Sequence, residues 1–163
     1  MKLIKILSII LIASLSLSAA SKTDLAEKAQ LKKMWKAQAK AAWKVTKGIT
    51  DKELIKWMDD DKDFILVDVR EPDEVAAGTI MAMEFKAIPR GMVAPKVGKA
   101  GALRPNQTIV FYCKSGIRSA YVAKELQEYY GFKNVYYLKG GIMNWIKQGH
   151  EIHNKLGEFV ISK

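Results

Sequence analysis

Cysteine occurs once in this chain, at Cys113, and histidine only twice, at His150 and His153. A single thiol excludes an internal disulfide, and one cysteine with two histidines argues against a structural zinc site. No segment repeats elsewhere in the sequence, which sets aside solenoids and propellers. Proline and glycine are both missing from residues 22 to 47. Nothing there interrupts a helix. General disorder is excluded as well, because hydrophobic residues make up 49% of the 163 positions. That length suits one domain with a short appendage.

Charge is the clearest excess. The formal net charge is +10, which admits nucleic acid, membrane surfaces or anionic small molecules as partners. Much of it sits in "KTDLAEKAQLKKMWKAQAKAAWKVTK", residues 22 to 47. There Leu31, Met34, Trp35, Ala42 and Val45 recur at three-and-four spacing and form one apolar stripe among lysines. The first reading is a solvated helix docked on the domain through Trp35 and Trp43. A helix that binds a protein partner, or one lying on an anionic membrane surface, is the alternative. The domain proper has no interleaved aromatic and basic motif, so no nucleic-acid partner is expected.

The first twenty residues read separately. Lys2 and Lys5 form a basic start, Ile6 to Leu17 is apolar apart from small serines, and Ser18-Ala19-Ala20 supplies small residues. This is the layout of a secretory signal peptide, with cleavage expected after Ala20 and a periplasmic or secreted product. The apolar run is short for a membrane span. No cysteine stands at the cleavage point, so lipoprotein processing is not expected.

Strand and helix signals alternate from Gly48 onward. "TDKE", Thr50 to Glu53, is a capping box that opens a helix through Met58. "FILVDV", Phe64 to Val69, and "TIVFYC", Thr108 to Cys113, are continuous apolar runs of the buried-strand kind. "EPDEVAAG" is a short helix with Pro72 near its start and Gly78 at its stop. "MAMEF" is a weaker strand, and the proline-rich residues 86 to 107 are a loop with one helical turn. A helix over "RSAYVAKELQEYYG", a strand "VYYL" and a final helix "GGIMNWIKQG" complete the domain. Trp145 is expected to pack that last helix on the sheet. Gly140-Gly141 is expected to form the tight turn into it. The alternation predicts an α/β fold: a parallel sheet with helices on both faces, preceded by an N-terminal helical extension.

Such a sheet explains where the thiol is placed. Ligands bind at the carboxyl ends of parallel strands, and Cys113 ends one. The loop "KSGIR" must curl from there into the next helix. Gly116 permits an unusual φ, so that successive amides can turn inward. The helix N-terminus, Lys114 and Arg118 add positive potential. Together these favour a thiolate near the surface, with a pKa below that of a free cysteine.

"CKSGIRS" resembles the active-site loop of the rhodanese (sulfurtransferase) family. "LVDVREPDEVAAGTI", "IPRGM" and "LKGGIMNWIKQGHEI" resemble other segments of the same family in the right order. The organisation is similar to that of small exported single-domain bacterial members: a signal peptide over 1–20, a helical extension over 21–47 and a rhodanese-like domain over 48–158. The resemblance implies that Cys113 takes a sulfane sulfur from thiosulfate or a similar anionic donor as a persulfide and passes it to a thiol or to cyanide, with no cofactor and no metal. It implies that the amides of Lys114, Ser115, Gly116, Ile117 and Arg118 hold the sulfur, that Arg118 helps bind the donor, and that Lys114 raises the local potential. Asp68 and Arg70 match the family's aspartate–arginine pair and are read as bracing the loop, with an ordinary ion pair at a strand end as the alternative. Arg90 is read as a solvated arginine rather than one facing the cleft. His150 and His153 are expected to have no catalytic part.

The loop from Cys113 through Arg118 has six positions. Related phosphatases have one more, and a histidine where this chain has Tyr112. Two departures from the family pattern stand out: Thr79 follows Gly78 where histidine is usual, and Met81 to Ala87 lacks the customary Pro-Gly-Ala. Three other readings stay open. One is a persulfide carrier or partner-binding module without fast turnover, docked through the N-terminal helix. Another is a phosphatase-like or arsenate-reducing enzyme. The last is a structural module with an inert thiol.

Overall fold

The two apolar runs lie side by side in a five-stranded sheet. The computed structural model describes the backbone of residues 2–98 and 103–161, and side chains from residue 23 onward within those. Contacts divide the chain into two units, Met1–Lys40 and Ala41–Lys163. The first unit belongs to one helix, α1 (Lys2–Val45). Within it Lys28 pairs with Asp24 at 2.8 Å, and Leu31, Met34 and Trp35 are exposed.

The second unit holds β1 (Lys47–Ile49), α2 (Asp51–Asp59), β2 (Ile65–Asp68), α3 (Pro72–Ala76), β3 (Glu84–Ala87), β4 (Ile109–Tyr112), α4 (Ile117–Tyr129), β5 (Val135–Leu138), α5 (Gly141–Lys147), β6 (Ile152–Asn154) and β7 (Gly157–Phe159). The sheet order is β1-β5-β4-β2-β3, and every pairing in it is parallel. β4 is therefore the middle strand, flanked by β2 and β5. The antiparallel hairpin β6–β7 stands apart and meets the domain through the Thr79–His153 bridge.

Successive side chains of a strand point to opposite faces, and the core divides accordingly. Ile65, Val67, Ile109, Phe111 and Cys113 pack with Val122, Ala123 and Leu126 of α4 on one face. Leu66, Val110, Tyr112 and Leu138 pack with Leu54 of α2 and Ile142 and Trp145 of α5 on the other. Both faces are covered, which is why the strand sequences read as unbroken apolar runs. Each fully buried aliphatic side chain contributes about 1.5–3 kcal/mol.

Most local expectations hold. Thr50 and Glu53 form the capping box, with Glu53 N–H donating to Thr50 Oγ1 at 3.2 Å and Thr50 N–H to Glu53 Oε2 at 2.7 Å. Trp145 is buried and donates to the Glu151 carbonyl at 2.7 Å. Some do not. The weak strand falls at Glu84–Ala87, three residues later than "MAMEF". Its register against Ile65–Asp68 sets that position, and Met83 is left 95% exposed. The proline-rich loop makes two 3-10 turns, Arg90–Met92 and Ala94–Lys96. Edge strand β1 and the β6–β7 hairpin have no sequence expectation behind them. Being three residues each, they are too short to show a period. Within the second unit Trp43 is exposed, and Ala42 is the helix residue packed against Ala120 and Tyr137.

The turn from β5 into α5 is where backbone meets backbone most closely. Gly141 has φ +58, and a Cβ there would lie 2.2 Å from the Cys113 carbonyl oxygen. Substitution Gly141→Ala is therefore expected to destabilise the domain by about 3 kcal/mol or more. Gly131→Ala, at a similar φ of +71 but with nothing within 4 Å, should cost only about 1–2 kcal/mol. Urea denaturation of the two variants separates steric contact from backbone strain.

Candidate functional site

Cys113 follows the middle strand directly, and its carbonyl is the first group of the loop to be tied down. The Cys113 carbonyl accepts from Ile142 N–H at 2.9 Å, and the Lys114 carbonyl from Met143 N–H at 3.1 Å. Both donors belong to the first turn of α5, whose amides have no partner inside their own helix. Carbonyl and amide of one trans peptide point in opposite directions. The two bonds thus turn the following amides, of Lys114 and Ser115, away from α5. Gly116 sits at φ +87 and caps α4, and a Cβ there would come within 3.0 Å of the Leu138 carbonyl and 3.2 Å of the Gly140 nitrogen. The loop rests on Gly140-Gly141 and cannot lift off with a side chain in between. Among the described residues, no amide from Lys114 to Ser119 donates to a backbone carbonyl. These are the groups that can face an anion.

The thiol itself differs from expectation. Cys113 is 1% exposed and belongs to the apolar cluster under α4, whereas a near-surface position was expected. It is covered from its polar side. The Ser119 hydroxyl lies 3.7 Å from the sulfur and 3.1 Å from the Gly116 carbonyl. The Arg118 guanidinium also interacts with the sulfur. Lys114 and Ser115 are exposed, and Ile117 is half-buried.

Arg118 is not a free cation. Its Nη1 and Nη2 donate to the two carboxylate oxygens of Glu74 at 2.6 and 2.7 Å. This bidentate bond, with the charge of Glu74 and that of Cys113 adding, holds the guanidinium above its ordinary pKa despite partial burial. In return the Arg118 hydrogen bond lowers the Glu74 carboxyl from 4.5 to about 2, against an opposing effect of burial. Nothing in the sequence joined Glu74 to Arg118. The two are 44 positions apart.

Asp68 and Arg70 are brought together, but they brace a different segment. Arg70 Nε donates to both Asp68 oxygens at 3.0 Å and Nη2 to Oδ2 at 2.6 Å, all buried. The same guanidinium donates to the Glu74 carbonyl at 2.9 Å and the Gly78 carbonyl at 2.6 Å. Burial alone would lower the Arg70 pKa, yet the Asp68 bonds outweigh it and the net direction is up. The pair therefore fixes α3 and its end, and meets the strand that leads into the cysteine loop at Tyr112, whose ring lies 5.6 Å from the Arg70 guanidinium. Tyr112, in the place a phosphatase would give to histidine, is buried, and its hydroxyl accepts from Ile80 N–H at 3.0 Å. Burial raises its pKa. Thr79, where histidine is usual, exchanges backbone hydrogen bonds with His153 at 2.8 and 2.9 Å. His150 lies 3.1 Å from Asp51, on α2.

A hollow of about 420 Å³ opens beside Arg118, lined also by Glu71, Arg90, Gly91, Ala94 and Glu125. Arg90 does face this hollow, with its guanidinium 5.1 Å from the Tyr121 ring, although it is exposed as expected. Cys113 does not line it.

A parallel sheet with a lone cysteine looping from its middle strand into a helix N-terminus defines a rhodanese-type α/β domain. Comparison with known proteins agrees: the family described as "Rhodanese-like domain" matches residues 50–148, and the chain belongs to that family. It is 30% identical over 101 residues to an Allochromatium vinosum protein named "Sulfurtransferase", covering 62% of this chain and 89% of that one. It is 36% identical over 100 residues to the Mycobacterium tuberculosis "Probable adenylyltransferase/sulfurtransferase MoeZ", covering 61% of this chain but 24% of that protein. The chain thus spans about a quarter of the length of the first curated relatives it matches. Among solved structures, the polysulfide-sulfur transferase homodimer of Wolinella succinogenes superposes with a TM-score of 0.62 at 32% identity, covering 80% of this chain and 90% of that one. A Rhodopseudomonas palustris protein of unknown function, described as a possible tyrosine phosphatase, gives 0.64 at 30% identity, covering 73% and 93%.

The depressed Glu74 carboxyl carries a pH signature. A carboxyl with a lowered folded-state pKa contributes stability above its unfolded value and loses it as pH falls through the folded one. The stability advantage of the wild type over Glu74→Gln should be constant above pH 4.5 and shrink between pH 4.5 and about 2. Urea titrations of both proteins across that range check this.

Proposed function

We propose that this protein is a sulfurtransferase that carries a sulfane sulfur on Cys113 as a persulfide. The observation that supports it most is the loop itself: a single thiol at the end of the middle strand, followed by six amides without backbone acceptors among the described residues. In this reading the ionised Cys113 sulfur attacks the outer sulfur of thiosulfate or a similar anionic donor. A new S–S bond forms to the protein, the S–S bond of thiosulfate breaks, and sulfite leaves with the electron pair. A thiolate or cyanide then attacks the outer sulfur, and Cys113 departs as the thiolate. No cofactor is needed, because the sulfur travels on the protein. The loop amides stabilise the negative charge on the sulfur at both steps. Arg118 binds the donor's anionic group, and Lys114 adds potential from the surface. Asp68 and Arg70 serve through α3, by holding the segment from which Glu74 reaches Arg118.

The carrier reading, with sulfur passed to a protein partner through the lysine-rich helix, differs only in the acceptor. Phosphatase or arsenate-reductase chemistry is disfavoured by the six-position loop and by Tyr112. The pattern of Lys2, Lys5 and the apolar run to Leu17 supports export, with the sulfur chemistry taking place in the periplasm or outside the cell.

Cys113→Ser should reduce thiosulfate–cyanide turnover to background. Incubation of the wild type with thiosulfate alone should add about 32 Da at Cys113, the mass of one sulfur atom. An intact wild type that gains no such mass would remove the persulfide step. Turnover seen only with a partner protein would favour the carrier. Arg118→Ala should raise the thiosulfate KM more than about tenfold, or about 1.4 kcal/mol, and steady-state kinetics read this directly.

A further inference from the structure

Three features converge on Arg118. Its two terminal nitrogens are occupied by the Glu74 carboxylate. It interacts electrostatically with Cys113, five positions earlier in the loop, and lines the 420 Å³ hollow. The Glu74 backbone is pinned by Arg70, through a 2.9 Å bond to its carbonyl. The planar fork of a guanidinium is the part that matches a carboxylate or sulfonate two oxygens at a time. In the resting protein that fork is filled from within.

We propose that Glu74 is a specificity-determining residue: its carboxylate occupies the anion position on Arg118, so an anionic donor reaches Cys113 only by exchanging for it. This deepens the sulfurtransferase reading and rests on it for the identity of the donor. The exchange needs no backbone movement. Arg70 keeps α3 in place, and rotation of the Glu74 side chain alone frees the fork. The anchored backbone also keeps the displaced carboxylate close, so the internal anion always competes. A donor with a strong anionic head replaces one ion pair by another. A neutral molecule has nothing to offer Arg118 in return and meets a closed cover. Glu74 thus weakens the binding of every anion while favouring those with two or more oxygens that fit the fork. Arg90, which also lines the hollow together with Glu71 and Glu125, supplies the second positive charge for a donor carrying two negative ones.

The test compares alkylation of Cys113 by iodoacetate and by iodoacetamide, probes of similar size that differ in charge. Glu74→Gln keeps the side-chain volume, and Glu74→Asp keeps the charge but withdraws it from Arg118. In either folded variant, the ratio of iodoacetate to iodoacetamide rate constants should rise about tenfold over the wild type. If the protein turns over thiosulfate, the KM should fall by a similar factor, with the effect on kcat much smaller. A merely structural role for Glu74 would change both alkylation rates together and leave their ratio where it was. That result overturns the proposal. The ratio is read without any sulfur transfer, so a wild type inactive toward thiosulfate would refute the sulfurtransferase reading while the rise or constancy of the ratio still decides the role of Glu74. Circular-dichroism melting identifies which variant is folded and therefore interpretable.

Discussion

The site depends on one contact between two pieces of backbone. The first turn of α5 donates two amides to the carbonyls of Cys113 and Lys114, at 2.9 and 3.1 Å. The approach is possible only because position 141 has no side chain: a Cβ would fall 2.2 Å from the Cys113 oxygen. Remove this contact and the peptide planes after Cys113 lose their orientation. With it, the carbonyls are spent on one side and the amides remain on the other. Two helix N-termini then serve one loop. That of α5 binds the loop's carbonyls, and that of α4 supplies further unpaired amides next to the sulfur.

Around this backbone frame the charges form a chain, each link fixing the next. Asp68 is wholly buried and holds Arg70. Arg70 spends its remaining donors on the carbonyls of Glu74 and Gly78, which sets α3. α3 places the Glu74 side chain against Arg118, whose charge interacts with Cys113. A buried ion pair is weak evidence for net stability, because desolvation offsets attraction. Here the guanidinium also donates to main-chain oxygens in the middle of the five-residue α3 and two residues past its end, which is a positioning arrangement.

How much of this could be read from the sequence follows from the range of each interaction. Strands β2 and β4 were legible because both of their faces are buried, which leaves an unbroken apolar run. The capping box at Thr50 and the pause at Gly140-Gly141 were legible because they act within a few residues. The loop and its cysteine were legible because strand, glycine and helix start follow in order. The Glu74–Arg118 pair was not, since it joins residues 44 apart and no local pattern links them. The depth of Cys113 was not legible either. A strand end can lie at the surface or beneath it, and the covering groups here, Arg118 and Ser119, come from the following helix. Edge strand β1 shows no period of its own in three residues; its place is set by pairing with β5.

Burial of the thiol looks at first like an argument for inertness. A cysteine among Val67, Phe111 and Val122 is packed like an inactive core thiol. What separates the two cases is the nature of the cover. An apolar lid would have to unpack, losing buried surface. In the proposed exchange the cover over Cys113 is an ion pair whose members are each about a quarter exposed, with side-chain accessibilities of 26% for Arg118 and 27% for Glu74. Such a pair is already in contact with water and is worth little in isolation. It can open by side-chain rotation while the sheet and both helices stay as they are. A sulfur so placed is shielded from chance encounters with neutral molecules, yet remains one anion exchange away from the solvent. In the sulfurtransferase reading, that same shielding would protect the persulfide between its two half-reactions.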